Sequence, residues 1–397
     1  MRKISIFTIW LLINTTTFAQ RTLRGEQEII SPEIHGNNTV TFRLNAPQAT
    51  GVEITGDFLP EPEMQTPTGG NDAQGVAELI KHDNGVWEYT TPAPLSPELY
   101  SYTFTVDGVR VIDPANVYAI RNENKIYSIF IIGGSHADLY KANNVPHGTV
   151  SRRWYNSPSL NMDRRITIYT PAGYEQSKEE YPVFYLLHGA GGDEDSWTTF
   201  GRASHILDNL IAQGKAQPMI VVMTNGNSGQ QSAPGESANG MYKPSFTDYL
   251  RMDGEFEKSF PDVVHFIENN YRVKTDKANR AIAGLSMGGF HSLHISKQYP
   301  DLFDYVGLFS AVVNPREDMT SEVYQNTDEK LKVQFAQNPK IYYIAIGATD
   351  FLFDANVAFR KRLDENKYPY VYYENGGGHI WKNWRIYLAE FAQMLFK

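Results

Sequence analysis

Two patterns of hydrophobic and polar positions divide the chain. From about residue 30 to 134, short alternating runs separated by turn residues dominate, at 39–44, 52–55, 86–90 and 100–106. Side chains two apart share one face of a strand, so this alternation predicts strands buried on one side. Asp107-Gly108 after the last run is a hairpin signal, because the tightest hairpin turns need positive φ at their central residues. The segment 30–134 therefore reads as an all-β, immunoglobulin-like sandwich with Trp87 in its core. Residues 61–75, rich in Pro, Gly, Thr and Asn, read as a loop within it.

After a linker at 135–148 the pattern changes to strands alternating with helices. Strands are expected at 149–155, 165–170, 183–187, 219–223, 281–283, 305–310, 341–346 and 370–373. Several are continuous apolar runs, as parallel strands covered on both faces must be. A helix at 256–271 places Phe260, Val263, Val264, Ile267 and Tyr271 on one face. The segment 149–397 is thus expected to form a mostly parallel sheet with helices on both faces. No repeat is present.

The chemistry begins at Gly284-Leu285-Ser286-Met287-Gly288, a G-x-S-x-G run between an expected strand and an expected helix. In that setting the serine occupies a sharp turn that lifts its hydroxyl clear of the sheet, the nucleophile elbow of α/β hydrolases. A serine hydroxyl is nearly inert at neutral pH until a base takes its proton, so a carboxylate and a histidine must follow in that order. Asp350 lies just past the carboxyl end of the strand at 341–346, where open α/β sheets keep their chemistry. Asp354, four residues on in an expected helix, is the less favoured choice. His379 follows Gly376-Gly377-Gly378, a loop supple enough to bring its ring across the sheet.

Acyl transfer also needs donors for the oxyanion. The strand at 183–187 runs into His188-Gly189-Ala190-Gly191-Gly192, which matches the loop that supplies one amide; the residue after the nucleophile supplies the other. Ala190 and Met287 are the expected donors, and His188 is expected to brace the loop. A Gly-, Ser- and Asn-rich stretch at 224–248 is a candidate wall of the acyl pocket, with Tyr242 as its contact. Trp197 and Trp381 are candidate flat faces for an aromatic acid or a sugar.

Charge and composition narrow the partners. A basic start, an apolar run at 4–13 and small residues at Thr17 and Ala19 describe a secretory signal peptide cut near Ala19, hence a periplasmic or extracellular protein. The net charge of −9, more negative once Arg2 and Lys3 are removed, argues against nucleic acid, whose binding rests on neutralising phosphates. The chain has no cysteine, so neither disulfides nor thiolate metal sites are expected. No stretch beyond the leader is long and apolar enough to span a membrane, and no metal or organic cofactor is called for.

With these residues in place the chain resembles carbohydrate esterase family 1, the α/β hydrolases that include feruloyl and acetyl xylan esterases. The resemblance rests on Pro146-His147-Gly148-Thr149, Tyr169-Thr170-Pro171-Ala172-Gly173-Tyr174, the runs 188–192 and 284–289, Asp350, and Gly377-Gly378-His379 with Trp381. It implies a secreted serine esterase acting on acyl-decorated hemicellulose, xylan or arabinoxylan or their oligosaccharides, with feruloyl esterase ahead of acetyl xylan esterase. A siderophore esterase and a non-catalytic carbohydrate-binding protein are the remaining alternatives. The sandwich resembles an early-set domain related to family 48 carbohydrate-binding modules.

Overall fold

The structure is a computed structural model that describes residues 29–60, 75–122, 125–238 and 252–397. The expected leader at 1–19, nearly all of the 61–75 loop and Tyr242 lie outside the described residues.

Alternation in the first segment gives β1 (Glu33–Ile34), β2 (Val40–Asn45), β3 (Val52–Gly56), β4 (Gly75–Glu78), β5 (Ile80–Lys81), β6 (Val86–Thr90), β7 (Glu98–Val106), β8 (Val109–Val111), β9 (Ala119–Asn122) and β10 (Lys125–Ile132). They form one sheet of order β1-β2-β6-β5 and another of order β4-β3-β7-β10-β9, with β8 paired to β7. Asp107 and Gly108 take φ of 46° and 84°, the positive pair that the β7–β8 hairpin needs. Val40, Phe42, Trp87, Tyr102, Phe104, Phe130 and Ile132 fill the space between the sheets.

β10 was not foreseen as a strand of its own, and its burial explains why. Phe130 and Ile132 point into the sandwich core, while Tyr127 and Ile129 join a second cluster with Phe184, Trp197, Phe200 and Tyr387. On β7, Leu99 joins that second cluster while Tyr100 and Tyr102 stay in the first. One sheet of the sandwich is therefore buried on both faces, and its outer face shares a core with the rest of the chain.

The second segment forms an eight-stranded sheet of β11 (Thr149–Ser157), β12 (Met162–Thr170), β13 (Val183–Leu187), β14 (Ile220–Thr224), β15 (Arg280–Leu285), β16 (Tyr305–Phe309), β17 (Ile341–Gly347) and β18 (Val371–Asn375). The order is β11-β12-β14-β13-β15-β16-β17-β18. β11–β12 and β12–β14 pair antiparallel, and every later pair is parallel. Helices Ala203–Ala212 and Trp381–Ala392 pack on one face, Glu255–Asn270 and Phe353–Glu365 on the other. This is the α/β hydrolase fold behind an all-β sandwich.

The expected linker at 135–148 is not a free tether. It opens with a 3₁₀ turn, Ser135–Tyr140, that buries Ala137 and Tyr140. Asn209 donates to the carbonyls of Leu139 and Lys141, and Asp208 accepts from the Gly148 amide. Buried Arg385 adds a polar clamp across the junction, donating to Glu98 Oε1 and the Leu99 carbonyl on β7 and to the Phe200 carbonyl.

Burial pushes the Glu98 carboxyl up, but the His136 hydrogen bond and the Arg385 charge outweigh it, so the group sits below its ordinary 4.5. A depressed carboxyl contributes stability that is complete above its unfolded value and fades as pH falls through the folded one. Arg385→Leu leaves Glu98 without its main countercharge and should cost about 3–5 kcal/mol. Urea unfolding at pH 7 checks this, and the gap between parent and variant should narrow when the titration is repeated on the acid side of 4.5. A gap that stays constant with pH would contradict the account.

Candidate active site

Ser286 follows β15 directly and caps helix Met287–Gln298 with φ 52° and ψ −113°, a state rare for a side-chain-bearing residue. Its amide donates to the Phe309 carbonyl at 2.9 Å, and its carbonyl accepts from the amides of Phe290 and Val312 at 3.0 and 3.3 Å. The flanking glycines are needed for space. A Cβ on Gly284 would lie 2.4 Å from Gly288 backbone, and one on Gly288 would lie 2.4 Å from the Leu187 carbonyl. The turn is thus tight enough to throw the Ser286 side chain outward. Among the described residues no hydrogen bond reaches its hydroxyl, and such contacts often tighten only with substrate present.

The Asp350 carboxylate is fully buried behind β17 and accepts from His379 Nδ1 at 2.9 and 3.1 Å. The Leu352 amide donates to the same carboxylate at 2.9 Å. Asp354 stands exposed in the first turn of the following helix. The His379 loop is pinned from both ends, with the Thr349 amide on the Gly377 carbonyl and Asn383 Nδ2 on the Gly378 carbonyl. Because Nδ1 faces the carboxylate, Nε2 is the nitrogen left for proton transfer.

The loop after β13 runs directly against the serine: a Cβ on Gly189 would lie 3.3 Å from Ser286 Cβ. His188 Nε2 accepts from the Gly226 amide at 2.7 Å, so the ring proton sits on Nδ1 and is donated to the Gly189 carbonyl at 2.7 Å. Burial pushes this imidazole down to about 4, so it stays neutral and keeps both bonds. The Gly189 C=O and Ala190 N–H belong to one planar trans peptide and point opposite ways. By holding the carbonyl, His188 aims the Ala190 amide. Neither that amide nor Met287 N–H has a hydrogen-bond partner among the described residues, so both are available to a developing oxyanion.

The expected aromatic contacts stand differently. Trp197 is 1 % exposed with its indole N–H on the Leu187 carbonyl, and Trp381 is 6 % exposed, so both line the wall behind the site and neither offers a face to solvent. The exposed ring is Phe351, 57 % accessible, 4.6 Å from the His379 imidazole. Its signal was an apolar residue directly after Asp350, at the mouth of a strand end. The described part of the 224–248 stretch is a braced loop: Arg164 donates to the carbonyls of Asn225, Asn227 and Gln230, and Glu194 accepts from the Ala233 amide.

The family described as "Putative esterase" matches residues 157–395. An endo-1,4-beta-xylanase/feruloyl esterase of Xylanibacter ruminicola is 31 % identical over 380 residues, spanning 92 % of this chain and 46 % of the relative. The chain thus spans about half the length of the curated relatives it matches. A CE1 ferulic acid esterase of Anaeromyces mucronatus, solved with ferulic acid, superposes with a TM-score of 0.53 at 25 % identity over 64 % of this chain and 93 % of that one. The enterobactin esterase of Shigella flexneri gives a TM-score of 0.57 at 17 % identity over 90 % of this chain and 93 % of that one, a likeness of fold that takes in the sandwich.

With an activated ester as probe, His188→Leu should lower kcat by about 10- to 100-fold while KM moves less than about threefold, because an oxyanion donor acts in the transition state. Steady-state kinetics decide it, and an unchanged kcat would remove His188 from this role.

Proposed function

The chain belongs to the esterase family whose model it matches, and on that premise we propose that this serine ester hydrolase releases ferulate-type acids from arabinoxylan through an acyl-enzyme. The observations that carry the reading are the Asp350–His379 hydrogen bond and the strained elbow of Ser286, which stand in the chain order Ser, Asp, His. Ser286 Oγ attacks the ester carbonyl and passes its proton to His379 Nε2. Asp350 holds the imidazole and stabilises its charged form. The amides of Ala190 and Met287 receive the oxyanion. His379 then protonates the departing sugar oxygen as its bond to the acyl carbon breaks, and water, deprotonated by His379, hydrolyses the acyl-serine.

The substrate class is supported by the relative that joins xylanase and feruloyl esterase names over most of this chain. It is also supported by the neighbour solved with ferulic acid. Export, as the composition of residues 1–19 suggests, is consistent with a polymeric substrate met outside the cytoplasm. Because His379 serves the leaving group, the exposed Phe351 ring 4.6 Å from it is proposed to meet the sugar and not the acyl group.

Ser286→Ala should reduce kcat by roughly 10⁶-fold. Release of ferulate from feruloylated arabinoxylan should exceed release of acetate from acetylated xylan in kcat/KM. The reverse order selects acetyl xylan esterase, turnover of an iron-chelating trilactone selects the siderophore reading, and retention on xylan with no ester turnover selects a binding protein.

Phe351→Ala should raise KM for a feruloylated arabino-oligosaccharide by about fivefold, the worth of a stacked ring near 1 kcal/mol. Methyl ferulate, which lacks the sugar, should change by less than about twofold. Equal losses on both substrates would instead assign the ring to packing His379.

A further inference from the structure

We propose that the sandwich is a working part of the catalytic site, and that two adjacent residues of β9, Arg121 and Asn122, are positioning residues for its two halves. The inference rests on the serine mechanism above and adds a role for the first segment. β9 is the edge strand of the sandwich, and it ends beside the hydrolase.

Asn122, 9 % exposed, accepts from the indole N–H of Trp381 at 3.2 Å. Trp381 opens the last helix two residues after His379 and meets Trp384 edge-on at 5.3 Å. Trp384 in turn meets the His379 imidazole at 4.9 Å. The ring that carries the proton is therefore backed by two indoles, one of which is fixed in rotation by a residue of the sandwich.

Arg121 pairs with Asp193 at 2.5 Å. Asp193 follows directly on Gly191-Gly192 of the oxyanion loop, and its other carboxylate oxygen accepts from the Asp195 amide at 3.0 Å. The Asp193 amide is fixed as well, donating to Ser196 Oγ at 2.9 Å. The Gly192 amide closes the turn on the Gly189 carbonyl, the same oxygen that His188 holds. One strand of the sandwich thus grips the loop that aims Ala190 and the start of the helix that follows the His379 loop.

The shared apolar core keeps that grip in place, because Ile120 on β9 packs in the same cluster as Trp197, Phe200 and Trp381. Side chains of β9 alternate, so Ile120 and Asn122 share the face turned to the hydrolase, while Arg121 starts from the other face and reaches Asp193 through its long side chain. A module joined only by a tether would make none of these contacts.

The test uses the full chain and 4-nitrophenyl acetate, an ester that does not depend on which sugar or acid is natural. Asn122→Ala and Arg121→Ala should each lower kcat by about tenfold with KM within about twofold, while both melt cooperatively. Asn122→Asp keeps the acceptor for the indole and should return kcat to within about threefold of the parent. Parental kcat in both alanine variants would overturn the proposal, as would an aspartate variant as impaired as the alanine one. If Arg121→Ala fails to fold, the near-isosteric Asn122 pair still decides. Turnover that persists in Ser286→Ala would overturn the serine assignment and this role with it, a failure distinct from that of β9 alone.

Discussion

Ser286 is held at φ 52°, ψ −113°, a backbone state that an L-residue leaves unless its neighbours forbid every alternative. Such states cost about 1–3 kcal/mol and persist only where the surroundings over-determine them. Here the surroundings do so on three sides. The amide is fixed to β16 through Phe309, the carbonyl is fixed to the helix and to Val312, and the space beneath is closed by the contact of Gly288 with the Leu187 carbonyl. Relaxing the turn would break all of these at once. The same constraint leaves Met287 N–H at a helix start with no partner among the described residues, so one distorted residue accounts for both the projected hydroxyl and the proposed oxyanion donor.

Histidine shows how environment assigns chemistry to one residue type. His188 and His379 both stand on loops at the carboxyl ends of strands. His188 is buried, has both nitrogens engaged by backbone groups, and is pushed down to about 4. It can only brace. His379 has one nitrogen on a carboxylate and the other without a hydrogen-bond partner among the described residues, which is what a group must have to move a proton.

What could be read from the chain was whatever is written locally. Glycine spacing at 284–288, the order of Ser286, Asp350 and His379, and continuous apolar runs such as that of β17 each follow from contacts within a few residues or from a sheet covered on both faces. The two tryptophans were less legible, because an aromatic side chain after an active-site turn suits a wall as well as a platform, and only burial separates the two. The β9–β10 pair carries its message across the molecule. The residues of β10 alternate between two cores, so no polar face marks that strand, and the contacts of β9 lie on Asp193 and Trp381, far away in sequence. Tyr242 falls outside the described residues.

The junction between the two segments combines two kinds of contact that do different things. Apolar packing of Leu99, Tyr127 and Ile129 against the hydrolase favours closeness but tolerates sliding, since it is non-directional. Arg385 removes that freedom. Its planar fork donates at 3.0 Å to the Phe200 carbonyl on one side and at 3.0 and 3.1 Å to Glu98 and the Leu99 carbonyl on the other. Those directions can be satisfied together in one relative orientation only. Replacing the buried pair by apolar side chains could leave the junction just as stable. It would not leave β9 in register with the loop and the helix start it grips.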